Sequence, residues 1–172
     1  MKDKVLLVDD DAMVLAGLKR QLRNQFSIDT ALSGEDALKQ VVENGPYAVI
    51  VSDFMMPGMN GIEFLSRVKK SNPNTVRMML TGTADMPTAI RAVNEGSIFQ
   101  FHPKPCPADT LYQAIQSAIG EYRKVTYDQR QLKNFKSSMA QASQVQQKLM
   151  PKSDPRVDGF DIAGRSIWCD QT

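Results

Sequence analysis

The chain has 172 residues, 42% hydrophobic and 23% charged, enough to bury the core of one ordinary domain with an appendage. A formal net charge of +2, with no basic run of five or more residues, excludes nucleic-acid binding driven by bulk charge. No apolar stretch approaches a bilayer span and residues 1–4 lead straight into a short apolar run, so neither a membrane anchor nor a signal peptide is expected.

Short β-branched or apolar runs stand at residues 4–8, 27–31, 48–52, 76–80 and 98–101. Between them, apolar residues recur at helical spacing: Met13, Leu15, Leu18 and Leu22, then Ala37, Leu38, Val41 and Val42, then Ile62, Leu65 and Val68, then Ala89, Ile90 and Val93. Five strand–helix repeats predict an α/β fold, a doubly wound five-stranded parallel sheet with helices on both faces. Turn chemistry agrees. Ser33 before Gly34-Glu35-Asp36 reads as an N-cap with acids in the first turn, and Asn44-Gly45-Pro46 as a helix stop. Gly58 and Asn60-Gly61 supply a loop before the third helix, and Pro107 suits the first turn of a fifth.

That fifth helix is expected to run on. From residue 111 to about 150 the only Gly or Pro is Gly120. Leu111, Ile115, Ala118, Tyr122, Val125, Gln129 and Leu132 recur in alternating steps of four and three; a step of three to Phe135 breaks the phase, and Met139, Ala142 and Leu149 continue it. This is a heptad pattern with one stammer, and it predicts a two-stranded coiled coil and hence a homodimer. Pro151, Pro155 and Gly159 then end the helix, and residues 160–163 resemble a short strand. The expected organisation is a domain over 1–123, a helical linker over 124–150, and the beginning of a further domain over 151–172. Cys106 and Cys169 lack any C-x-x-C spacing and are expected as free thiols; His102, the single histidine, is expected at the surface rather than as a ligand.

Reactive groups in an open parallel sheet gather beyond the carboxyl ends of the strands. Asp9, Asp10 and Asp11 follow the first run, Asp53 the third, Thr81 the fourth and Lys104 the fifth. With strand order 2-1-3-4-5, the first and third strands are neighbours, and Asp9, Asp10 and Asp53 share a pocket. Carboxylates packed together repel, and a divalent cation with oxygen ligands, Mg²⁺ above all, offsets that cost. Lys104 adds a fixed positive charge and Thr81 a hydroxyl. These parts suit phosphoryl transfer to Asp53 as nucleophile.

The segments Val5-Leu6-Leu7-Val8-Asp9-Asp10-Asp11, Asp53-Phe54-Met55-Met56-Pro57-Gly58-Met59-Asn60-Gly61, Thr81-Gly82-Thr83-Ala84-Asp85 and Lys104-Pro105 closely resemble the receiver domains of two-component response regulators, over roughly residues 1–123. The resemblance implies a flavodoxin-like fold and phosphorylation of Asp53 by a sensor histidine kinase or phosphotransfer protein. It implies Mg²⁺ held by Asp9, Asp10, Asp53 and the Met55 backbone carbonyl, phosphoryl contacts from Thr81 and Lys104, a cis Lys104–Pro105 bond, and Phe101 as a switch aromatic; the free thiols, for their part, suit a reducing cytoplasm, the expected location. Val145-Gln146-Gln147-Lys148-Leu149-Met150-Pro151 with Gly159-Phe160-Asp161-Ile162-Ala163-Gly164-Arg165 resembles the opening of a PP2C-type, SpoIIE-like phosphatase domain. The expected output is therefore a protein phosphatase acting on a downstream protein, without nucleic acid. Alternatives are a non-catalytic sigma-factor or proteolysis adaptor and a DNA-binding regulator. The Gly-Gly-Asp of such phosphatases does not occur in these 172 residues, so they are expected to carry no phosphatase activity of their own.

Overall fold

A computed structural model describes residues 3–82, 86–94 and 98–149. The chain divides into two units, Met1–Asp128 and Gln129–Thr172. In the second, the described residues are wholly helical; residues 151–172, with the predicted opening of a further domain, lie outside the described part.

The elements alternate as the repeats predict: β1 Lys4–Val8, α1 Ala12–Leu22, β2 Ser27–Ala31, α2 Gly34–Asn44, β3 Val49–Asp53, α3 Gly61–Ser71, β4 Val76–Thr81, α4 Met86–Asn94, β5 Gln100–Pro103 and α5 Ala108–Leu149. The five strands form one parallel sheet in the order β2-β1-β3-β4-β5. The predicted order therefore holds, with β1 and β3 side by side at its centre.

The period-2 alternation of a strand splits the core into two layers. Val5 and Leu7 of β1, Val49 and Val51 of β3, and Val76, Met78 and Leu80 of β4 face one way. There they pack with Leu15 and Leu22 of α1 and Leu111, Ile115 and Ala118 of α5. Leu6, Val8, Ile50 and Met79 face the other way, onto Ala37 and Val41 of α2, Phe64, Leu65 and Val68 of α3, and Ala89 and Ala92 of α4. Central strands buried on both faces read as continuous apolar runs, which is why Val5 to Val8 show no polar residue.

Helix starts are fixed by side-chain caps, each worth about 1 kcal/mol. Asp11 accepts hydrogen bonds from the Met13 and Val14 amides, Ser33 from Asp36, and Asn60 from Glu63. Three apolar positions assigned to helices on spacing turn outward: Met13 is 80% exposed, Val42 83% and Ile90 46%. Each lies off the stripe that its helix buries, since Met13 stands two residues before Leu15 and Val42 one after Val41, turns of roughly 200° and 100° about the axis. The strand ends also differ from the sequence expectation. β3 begins at Val49 and includes Asp53, and β5 begins at Gln100, because the Ile98 amide bonds to the Ala92 carbonyl at the end of α4 instead of joining the ladder. No described helix is long and apolar enough to cross a membrane.

Candidate functional site

Four strand ends deliver the predicted residues to the carboxyl edge of the sheet. Asp9 follows β1, Asp53 is the last residue of β3, Thr81 the last of β4, and Lys104 follows β5. One carboxylate oxygen from each of Asp9, Asp10 and Asp53 lies within 4.8 Å of the others. Asp9 and Asp53 are buried and Asp10 is exposed. The Lys104 ammonium reaches into this group, 2.7 Å from Asp9 Oδ2 and 2.9 Å from Asp53 Oδ1.

The three consecutive acids have separate tasks. Asp9 Oδ1 accepts the Asp11 amide at 2.9 Å, which turns the chain sharply after β1. Asp10 is thereby left at the rim. Asp11 caps α1. A capping acid immediately before an apolar-periodic run was a signal available in the sequence, and it separates Asp11 from the other two.

Asp53 is held from several sides. Its backbone pairs with Leu80, and the Phe54 amide is shared between Asp53 Oδ1 at 2.8 Å and the Leu80 carbonyl at 2.9 Å. The Ser52 hydroxyl donates to the Asp53 carbonyl at 2.9 Å. Behind it, Gly61 opens α3 with its amide bonded to the Phe54 carbonyl at 2.9 Å; a Cβ at 61 would stand 2.1 Å from the Asp53 carbonyl oxygen. Gly61 was read in the sequence only as loop chemistry. In the structure it is what allows α3 to approach the backbone of Asp53.

The electrostatics follow from burial and neighbours. Burial raises the Asp53 carboxyl above its ordinary value; the Lys104 ammonium and the Phe54 amide pull it down without cancelling the rise, and Asp9 adds to it. Burial lowers the Lys104 ammonium, but its bonds to Asp9 and Asp53 outweigh this and hold it raised. Lys104 is thus a fixed cation.

Thr81 is fully buried beside the β3 end; its hydroxyl donates to the Gly82 carbonyl at 3.2 Å and its own carbonyl accepts the Lys104 amide at 2.8 Å. The Lys104–Pro105 bond is cis, as is Gly45–Pro46. Met55, two residues past Asp53, has a 63% exposed side chain. Phe101 is not in the pocket. It lies in β5 opposite Met79, half-buried against the layer that contains α4. His102, expected at the surface, is half-buried with its Nε2 2.8 Å from Gln100 Nε2, and burial lowers its pKa. Cys106 is a free, half-buried thiol; Cys169 lies outside the described residues.

Three carboxylates against one ammonium leave a surplus of negative charge on an all-oxygen donor set. That is what a hard divalent cation requires, so the residues fit such an ion.

The chain is similar to proteins of several outputs. It is 35% identical over 122 residues to the hydrogenase transcriptional regulatory protein HoxA of Cupriavidus necator, covering 69% of this chain and 25% of that protein. Among solved structures it resembles one described as adenylate cyclase from Rhodopirellula baltica, with TM-score 0.76 and 41% identity over 77% of this chain and 98% of that one. It also resembles a response regulator receiver domain protein from Clostridium thermocellum, with TM-score 0.68 and 32% identity over 72% of this chain and 98% of that one. The chain spans about a quarter of the length of the curated relative, so these likenesses concern the receiver portion. The family profile of the response regulator receiver domain matches residues 5–116, and with the fold, strand order and acidic pocket in agreement, this chain belongs to that family.

Proposed function

We propose that Asp53 is the phosphoacceptor of this receiver, taking its phosphoryl group from a sensor histidine kinase or a phosphotransfer protein. One observation carries the reading: Asp53 stands at the end of β3 among Asp9, Asp10 and the Lys104 ammonium. Asp53 Oδ1 is already engaged by Lys104 Nζ and the Phe54 amide, which leaves Oδ2 as the attacking oxygen. Oδ2 forms the bond to phosphorus as the bond to the donor nitrogen breaks, and the donor imidazole leaves with that electron pair. Asp9, Asp10, Asp53 and the Met55 carbonyl would hold Mg²⁺, which when bound supplies positive charge to the phosphoryl oxygens. Lys104 supplies the second positive charge. The Thr81 hydroxyl exchanges its Gly82 carbonyl for a phosphoryl oxygen, and Phe101 on the adjacent strand responds by turning inward.

The test is chemical. The chain is incubated with Mg²⁺ and acetyl phosphate, and the modified residue is located by mass spectrometry. Modification at Asp53 that needs Mg²⁺ and is abolished in Asp53→Asn is the expected result. A label that survives Asp53→Asn refutes the assignment.

The signal leaves through α5, whose single helical run over Ala108–Leu149 supports a dimeric coiled-coil linker. For the output we favour a PP2C-type phosphatase acting on a protein substrate, supported by residues 145–165 of the sequence. A DNA-binding output is the second reading, supported by the description of HoxA as a transcriptional regulator. Assaying this chain together with the proposed output domain, against a phosphoserine peptide and against duplex DNA, separates the two.

A further inference from the structure

The last described turns of α5 carry large apolar side chains in the open. Leu132 is 55% exposed and Phe135 61%, and every residue from 127 to 145 is exposed. Taking Val125 and Leu132 as d positions and Gln129 as the a position between them puts Glu121 and Asp128 at g. The e positions of the same stretch are Thr126 and Lys133, and Lys136 takes e after the stammer to Phe135. One flank of the seam is therefore acidic and the other basic.

That asymmetry selects an orientation. In a parallel pair each g residue faces the e residue five positions on in the other helix, whereas an antiparallel pair sets g against g and e against e. Parallel pairing matches unlike charges, Asp128 with Lys133, twice by symmetry. Antiparallel pairing brings like charges together. Tyr127, also exposed, falls on the far side of the helix and takes no part.

We propose that α5 pairs with α5 of a second copy in parallel and in register, Asp128 of each copy facing Lys133 of the other and Leu132 meeting Leu132 across the axis. This rests on the dimeric linker proposed above and adds its direction, register and charge code.

The experiment is sedimentation equilibrium of the 172-residue chain, with and without Mg²⁺ and beryllium fluoride as phosphoryl mimic. Asp128→Lys and Lys133→Glu should each weaken the dimer by about three- to tenfold at low salt, less at 1 M salt, as expected for exposed pairs. The two changes together should return it to the parent value. Leu132→Cys, with Cys106→Ser and Cys169→Ser, should form a disulfide-linked dimer on mild oxidation. A dimer indifferent to both charge changes, or one in which Asp128→Lys pairs preferentially with the unaltered chain, overturns the parallel code and leaves the dimeric linker standing. A monomer under both conditions overturns both.

Discussion

Gly61→Ala adds a single methyl group behind the proposed acceptor, and the structure gives its cost a size. The new Cβ would lie 2.1 Å from the Asp53 carbonyl oxygen, 3.0 Å from the Asp53 carbonyl carbon and 3.1 Å from the Phe54 Cα. The first distance is more than 1 Å inside the roughly 3.3 Å of even a close C–H···O contact. All three atoms are backbone, so no side chain can swing aside; α3 or the end of β3 must move. Overpacking of this kind costs about 1–3 kcal/mol. For a domain of this size that lowers the melting temperature by roughly 3–15 °C. The functional loss should be larger, since displacing a reacting group by about 1 Å can slow a reaction on the order of a hundredfold. Urea unfolding and the initial rate of Asp53 phosphorylation by acetyl phosphate, measured on the same preparation, test both figures. An unfolding midpoint and a phosphorylation rate equal to those of the parent would refute the claim that this close approach positions Asp53.

The same change at Gly17 should have the opposite sign. A Cβ there meets nothing within 4 Å, and the position is inside α1, so Gly17→Ala should stabilise by about 0.5–1 kcal/mol in urea titration with phosphorylation unchanged. Asp53→Asn should show a pH signature. Burial raises the Asp53 carboxyl in the folded protein, so the fold binds that proton more readily than the unfolded chain. The resulting penalty is absent below the unfolded value, grows as pH rises through the folded value, and is complete above it. With divalent ions chelated, Asp53→Asn should therefore unfold at higher urea than the parent at neutral pH, the gap closing toward about pH 3, below the ordinary carboxyl range; a parent more stable than the variant at pH 7 contradicts this.

The arrangement of the sheet was legible because its signals are local and repeated. Five apolar runs separated by helical spacings admit few topologies, and the acids at their ends fall on one edge once the runs are parallel. What sequence missed depends on contacts between distant segments. The outward positions of Met13 and Val42 follow from which stripe each helix turns to the sheet, which apolar spacing alone does not distinguish. β5 was placed too early because Ile98 is apolar and buried, yet its amide is spent on α4. The core hydroxyl of Tyr47, 2.7 Å from Asp29 Oδ2 and held neutral by burial, pairs residues 18 apart and had no signature in either neighbourhood. The meeting of Asp9, Asp10, Asp53 and Lys104 at one sheet edge could be anticipated, because each stands at or just past the end of an apolar run. The hold on Asp53 itself had no mark in the sequence: the Phe54 amide on its carboxylate, the Ser52 hydroxyl on its carbonyl, and the room that Gly61 leaves beside that carbonyl.

The ion pair between Lys104 and Asp9 joins residues 95 apart in the chain. During synthesis, β1 and β3 are complete well before the segment that carries their counter-charge has been made. Contacts this non-local form late, after the loop between them has been closed. A nascent or truncated chain ending before residue 104 would have its carboxylates without the lysine that steadies them.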